Sequence, residues 1–271
     1  MMMGMRYARF LAFFCLGLYA HAENQPSCAS IAGTSRLWAR PGVRFVIIGE
    51  MHGTAEMPAL FRDLVCSAFK AKRPLLVGVE LSDQHQIDLF TGSADDEAAV
   101  RQLTSVKEFG QQDGRGSNAM LALLQALREF KRKGLISHIV AFADSSPQNS
   151  PAQGEKRMAE ALATASIPNA LTIVLSGNVH ACKGTLPDVA SYPLMASFLP
   201  PAETVSLFVI DRGGEAWNCQ DGTCGPHRLT PRKGTERGIT LSPAASPFPG
   251  YDGVLSTGIK STASPPATAK K

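Results

Sequence analysis

Five apolar runs of strand length constrain this chain more than any other feature. They are RFVIIGE (44–50), LLVGVEL (75–81), SHIVAFAD (137–144), LTIVLSG (171–177) and TVSLFVID (204–211). None alternates strictly between apolar and polar residues, so each is expected to be covered on both faces. Between them lie segments with helical spacing. Leu60, Leu64, Val65 and Phe69 mark a helix over 55–71 that Lys72-Arg73-Pro74 ends. Shorter helices are expected over 83–91 and 95–108. Met120, Leu123, Leu124, Leu127 and Phe130 mark the clearest helix, over 117–133, closed by basic residues and Gly134. A last helix is expected over 155–165, after a polar loop at 145–154. This alternation predicts an α/β fold with a mostly parallel sheet and helices on both faces. Residues beyond 211, rich in Gly, Pro and Ser, read as a small C-terminal hairpin and an extended tail.

The N-terminus has its own pattern. Arg6 and Arg9 flank the start of LAFFCLGLYA, and Ala20-His21-Ala22 follows. A charged start, a short apolar run and an A-x-A site predict a signal peptide over 1–22, cut after Ala22. The run is too short to span a bilayer. The alternative is an amphipathic first helix of a cytosolic protein. Neither Cys15 nor Cys28 stands in a lipoprotein context. The expectation is therefore a periplasmic or secreted protein with no integral membrane segment in the mature chain. A single α/β domain is expected over 23–250, with an extended tail over 251–271 lying along it. Basic residues number 27 against 23 acidic ones, scattered singly. That balance gives no electrostatic case for nucleic acid or for a polybasic membrane patch. Cys219 and Cys224 flank the turn-forming QDGT and are expected to pair across a hairpin tip. Cys28 and Cys66 would tie the N-terminal segment to the first helix, leaving Cys182 odd. The cysteine spacings fit no zinc motif.

In a parallel sheet, ligands bind at the carboxyl ends of the strands. The first run ends in Glu50 and His52, the second in Glu80, the third in Asp144, and the fourth leads into Asn178 and His180. Glu80 lies between apolar residues, where a carboxylate has to be paired or hydrogen-bonded. Two imidazoles and two carboxylates suit either of two sites. One is a divalent metal held by His52, Glu80 and His180, with an activated water. The other is metal-free, with a histidine taking a proton from water while a glutamate orients it. Glu50, His52, Glu80 and His180 are the candidate catalytic residues. Asp113, Arg115, Asp144 and Asn178 are the candidate substrate-binding residues; the Asp113–Arg115 pair could hold an anionic group. Gly49 and Gly53 would let the backbone approach a ligand closely. Glu56 either serves the site or simply complements the helix dipole. The chain has no G-x-S-x-G, H-E-x-x-H or P-loop pattern. A Cys182–His180 dyad is conceivable, and His85, His138 and His227 read as ordinary surface or edge residues.

These residues resemble a family. GEMHG (49–53), the acid in GVE (78–80) and GNVHA (177–181) are similar to three signatures of the superfamily that joins erythromycin-esterase-like hydrolases, ChaN-type haem-uptake proteins and Tiki/TraB proteins. The single residue between Glu50 and His52 resembles the ChaN-like branch; the esterase branch usually has two there. Asp113-Gly114-Arg115, Ser117 and Met120 resemble a further family segment. GEKRMAEAL (154–162) is similar to an Arg-Asp-x-x-Met-Ala segment, with Gly154 and Glu155 in place of Arg and Asp, a departure that leaves it without an assigned role. The resemblance spans roughly 43–211 and implies an α/β fold with both histidine motifs facing one pocket. It also implies three activities: hydrolysis by activated water, divalent-metal hydrolysis, or haem binding without turnover. Tyr192 and Tyr251 are the tyrosines outside the signal that could ligate haem. The partner is then a small-molecule substrate or haem.

Overall fold

A computed structural model describes residues 28–186, 188–232 and 236–268. The expected signal peptide lies outside the described residues. In chain order the elements are α1 (Thr34–Trp38), β1 (Phe45–Glu50), α2 (Glu56–Ala68), β2 (Leu75–Val79), α3 (Gln84–Gly92), α4 (Asp96–Thr104), α5 (Asn118–Arg132), β3 (His138–Ala141), α6 (Pro151–Ala165), β4 (Leu171–Gly177), α7 (Asn178–Ala181), β5 (Thr204–Ile210), β6 (Gly214–Gln220), β7 (Thr223–Leu229), β8 (Gly238–Thr240) and β9 (Gly253–Ser256). Among the described residues, seven strands form one sheet in the order β3-β2-β4-β1-β5-β9-β8, and β6 and β7 form a separate hairpin. All pairings in the large sheet are parallel except β8 with β9. The fold is α/β, as the apolar runs predict.

Strand β1 shows why those runs do not alternate. Val46 and Ile48 pack into the core on one face, with Phe61, Leu64 and Leu124 of α2 and α5. Phe45 and Ile47 pack into the core on the other, with Leu162 of α6 and Val174. Successive side chains point to opposite faces, so a strand covered twice is apolar at every position.

Two boundaries differ from expectation. Helix α6 begins at Pro151, inside the segment expected to be loop. Ser150 accepts from the Gln153 N–H while Gln153 reaches back to the Ser150 N–H, and Pro151 occupies the first turn. The second difference is in the presumed tail, where Gly253–Ser256 is a strand of the main sheet, paired with β5 and β8. The residues after it lace two loops together. Ala55 N–H donates to Thr262 O and Asn118 N–H to Pro265 O, both at 2.9 Å. Glu56 receives the Thr262 N–H at 2.8 Å, so its carboxylate anchors this segment.

Both expected disulfides form. Cys28–Cys66 ties the N-terminal segment to α2, and Cys219–Cys224 bridges β6 to β7. Cys182 is a buried free thiol. Among the described residues, no helix is long and apolar enough to cross a membrane.

Candidate active site

Strands β2, β4 and β1 lie side by side, and their register sets Glu50 opposite Gly177 and Val79 opposite Leu175. Glu80, one residue past β2, therefore emerges beside the end of β4. Its Oε2 accepts from the Gly177 N–H at 2.6 Å and from the Ser176 hydroxyl at 3.3 Å. Both histidines converge on this buried carboxylate. His52 Nε2 lies 3.5 Å from Glu80 Oε2, and His180 Nε2 lies 3.7 Å from Glu80 Oε1. Arg115 completes the group, with its guanidinium 3.6 Å from Glu80 Oε1. Glu80 is 6% exposed, whereas His52, His180 and Arg115 are 20–29% exposed. A molecule arriving at this edge meets N–H donors first and the carboxylate beneath them.

Each imidazole is held from behind by its own carboxylate. His52 Nδ1 pairs with Glu50 Oε1 at 3.1 Å. His180 Nδ1 pairs with Glu155 Oε1 at 2.7 Å, while Glu155 Oε2 accepts from the Met195 N–H at 2.7 Å. Glu155 is the functional residue that sequence reasoning passed over. It departs from the Arg-Asp pattern in residue type, yet it is a carboxylate where that pattern has one. Its signal was the capping box at Ser150, which starts the helix early enough to carry Glu155 inward.

The charges reinforce one another. Burial works against a charged His52, but the Glu80 carboxylate and the hydrogen bonds to Glu50 and Glu80 outweigh it and push its pKa up to about 10. His180 is also raised, because its bond to Glu155 and the charge of Glu80 outweigh burial. Burial would raise Glu80, yet His52, His180 and the Gly177 N–H hold it well below the ordinary carboxylate range. Glu50 is raised, chiefly by burial, and its Oε2 has no hydrogen-bond partner. Three acidic side chains, Glu50, Glu80 and Glu155, thus stand among the His52 and His180 imidazoles and the Arg115 guanidinium.

Two glycines make this approach possible. A Cβ on Gly177 would lie 2.9 Å from His52 Nε2 and 3.4 Å from Glu80 Oε2. Gly53 has φ +81°, and a Cβ there would collide with the Trp217 carbonyl of β6. So Gly53, like Gly49 against Ala181, allows protein to approach protein, not a ligand as expected.

The other candidates divide. Asp113 grips Arg115 through Nε at 3.0 Å and NH2 at 2.6 Å, so it joins the cluster by way of Arg115. Asp144 does not join it; its oxygens accept from Ser146 N–H and Asn149 Nδ2 and close the loop before α6. Asn178 opens α7 and accepts the Tyr251 hydroxyl on its backbone carbonyl, which also engages that tyrosine. Cys182 donates to the Pro249 carbonyl at 3.5 Å, and burial pushes its thiol up. That bond draws the thiol to Pro249, while His180 pairs with Glu155. His227 pairs with Asn218 on the hairpin.

No protein-family model matches the chain, and no curated protein matches it in sequence. Solved structures are similar in shape. A Bacillus cereus protein is 13% identical, with 84% of this chain and 91% of that one covered at a TM-score of 0.48. The type III effector HopBA1 is 15% identical, with 75% and 96% covered at a TM-score of 0.44. The C-terminal region of Pasteurella multocida toxin, described as having a thiol-protease-like catalytic triad, is 12% identical, with 73% of this chain and 26% of that one covered at a TM-score of 0.44. At these identities and TM-scores the matches assign no chemistry to this chain.

Proposed function

We propose that the protein is a hydrolase of ester or amide bonds that activates water at Glu80, between His52 and His180. One observation carries this reading: two imidazoles, each anchored through Nδ1 on a carboxylate, present Nε2 to one buried carboxylate beside Arg115 at the sheet's carboxyl edge. At neutral pH His52 is an imidazolium and so a donor, not a base. A substrate carbonyl recruits the Nε2–H groups, which stabilise the oxyanion as water adds to the carbonyl carbon. As these rings turn toward the oxyanion, Glu80 loses the two histidine contacts that depress it, while keeping the Gly177 N–H, and takes the proton from the attacking water. The tetrahedral intermediate then collapses, and an imidazolium gives its proton to the leaving oxygen or nitrogen. The purified full chain is expected to cleave members of an ester and amide panel, and His52→Gln or Glu80→Gln to lower that cleavage by at least about a hundredfold. Full activity in either variant would sink the assignment.

A second reading is supported by the same anchoring. Metal-bound histidines commonly place their other ring nitrogen on a carboxylate. His52 Nε2, His180 Nε2 and Glu80 are donors that would hold a divalent ion, which would supply Lewis-acid activation of water. Against it, Glu80 already accepts from Gly177 and Ser176 and faces the Arg115 cation. Elemental analysis before and after chelation separates the two readings: bound metal at one per chain, with activity lost on chelation, favours the ion. Haem binding, the ChaN-like alternative, predicts a Soret band on titration that a Tyr192→Phe or His180→Ala variant lacks. We further propose a periplasmic or secreted location, to which the two disulfides are suited.

A further inference from the structure

The Glu80 cluster occupies the sheet edge over β2, β4 and β1. Next along that edge, over β1 and β5, runs a cleft made of two cavities of about 350 Å³ and about 300 Å³ that share Asn178, Phe208 and Phe248. Met51, the neighbour of His52, lines the first cavity, and Val179, the neighbour of His180, lines the second. The chain neighbours of both histidines thus line the cleft, although His52 and His180 themselves do not.

Its two lobes differ in chemistry. The first carries Arg228 and Arg232. Asp211 lies in the same lobe, but its carboxylate accepts from the Gly213 N–H and the Ser261 hydroxyl. Among the described residues neither arginine forms an ion pair; Arg232 lies over the Phe248 ring, 5.5 Å from its centroid. The second lobe is apolar, walled by Val179, Leu186, Val189, Phe208, Phe248 and Tyr251, with Asp188 exposed at its rim. Seven large apolar side chains are exposed among the described residues, and three of them, Met51, Val189 and Phe248, border this cleft. Single exposed apolar residues need no explanation; a group around one opening marks a binding surface.

We propose that this cleft binds an amphiphile: a linear apolar chain in the Val179–Tyr251 lobe and an anionic oxygen group, carboxylate or phosphate, on Arg228 and Arg232. An ester or amide of such an amphiphile is then the substrate of the neighbouring Glu80 cluster. The cleavage rests on the hydrolase reading; the binding does not.

Calorimetry on the full chain tests the binding directly, with ligands held below their micelle-forming concentrations. Dodecyl phosphate or laurate is expected to bind at least about tenfold more tightly than butyl phosphate or butyrate, because the longer chain buries more apolar surface. Val189→Asp should remove that chain-length preference. Arg228→Glu with Arg232→Glu should remove the preference for an anionic ligand over neutral dodecyl maltoside. Val189 and Arg228 are exposed and Arg232 is half-buried, and an unchanged thermal midpoint verifies the fold. Equal binding of short and long chains, no binding of either long-chain anion, or wild-type preferences in both variants would overturn the proposal. In parallel, kcat/KM for p-nitrophenyl esters should rise with acyl length. Binding without cleavage of any ester would leave this proposal standing and remove the hydrolase reading.

Discussion

His52 and His180 flank the same carboxylate, yet they are held in different ways. The Glu50–His52 arm is local, two residues apart at one strand exit, with a 3.1 Å bond and a Glu50 Oε2 that has no hydrogen-bond partner. The Glu155–His180 arm joins two helices 25 residues apart in sequence, and both Glu155 oxygens are engaged at 2.7 Å. The first arm carries a buried acid with one engaged oxygen and one without a partner, so its hold on the imidazole rests on a single hydrogen bond. The second is locked by hydrogen bonds to two partners. Equivalent placement of two imidazoles on one carboxylate therefore does not mean equivalent cost of losing their supports.

The largest expected effect removes what the arms share. Glu80→Gln keeps the shape but not the charge, and kcat/KM should fall by about 10²–10⁴-fold. The His52 pKa, followed by NMR, should drop from about 10 toward its ordinary value. An unmoved pKa would show that Glu80 does not couple the arms. The next test separates them. Glu155→Ala leaves the His180 Nδ1–H and the buried Met195 N–H without an acceptor, which should cost about 1–3 kcal/mol in denaturant unfolding. Glu50→Gln keeps an acceptor for His52 and removes a buried charge, and should cost less than about 1 kcal/mol. Equal losses would erase the distinction.

Gly177→Ala sharpens it from the other side. The added methyl sits 2.9 Å from His52 Nε2 but 3.6 Å from His180 Cδ2, so it displaces mainly the weaker arm. A fall of about ten- to hundredfold in kcat/KM is expected from misplacing one ring, with the thermal midpoint nearly unchanged. A last test is the pH dependence of stability. His52 has a folded pKa of about 10 against an ordinary 6.5. Its contribution is fully present below about 6.5 and is lost as pH rises through 10. Glu80, held low, contributes above its ordinary 4.5 and loses that contribution as pH falls. Unfolding free energy should therefore decline from pH 6.5 to 10, and less steeply in His52→Gln. Identical slopes would contradict the assigned protonation of His52.

The legible parts of the site share one property. Glu50, His52, Glu80 and His180 sit at or just past the ends of apolar runs, so knowing that the strands are parallel was enough to bring them to one edge. Arg115 was legible as part of a Gly-flanked charged loop, although its contact with Glu80 was not. Asp144 met the same strand-end criterion and yet closes a loop instead, because nearby Ser146 and Asn149 offer it donors. Glu155 was missed because a capping box extended its helix into a stretch rich in Ser, Pro, Asn and Gln that reads as loop. Strand β9 was missed because four residues, GVLS, within a Gly- and Ser-rich segment carry too little pattern.

By itself, the sequence determined the layered α/β fold, the Cys219–Cys224 pairing and the strand-end residues around which the site is built. These follow from local rules: unbroken apolar runs must be covered on both faces, and a turn between two cysteines brings them together. Only the tertiary structure decided that Glu155 backs His180, that Arg115 faces Glu80, and that the C-terminal segment adds a strand and then laces the Gly53 and Ser117 loops together. Those contacts include one between Glu56 and Thr262, 206 residues apart. They depend on the register between strands and on where each helix starts, and neither is encoded in any single stretch of chain.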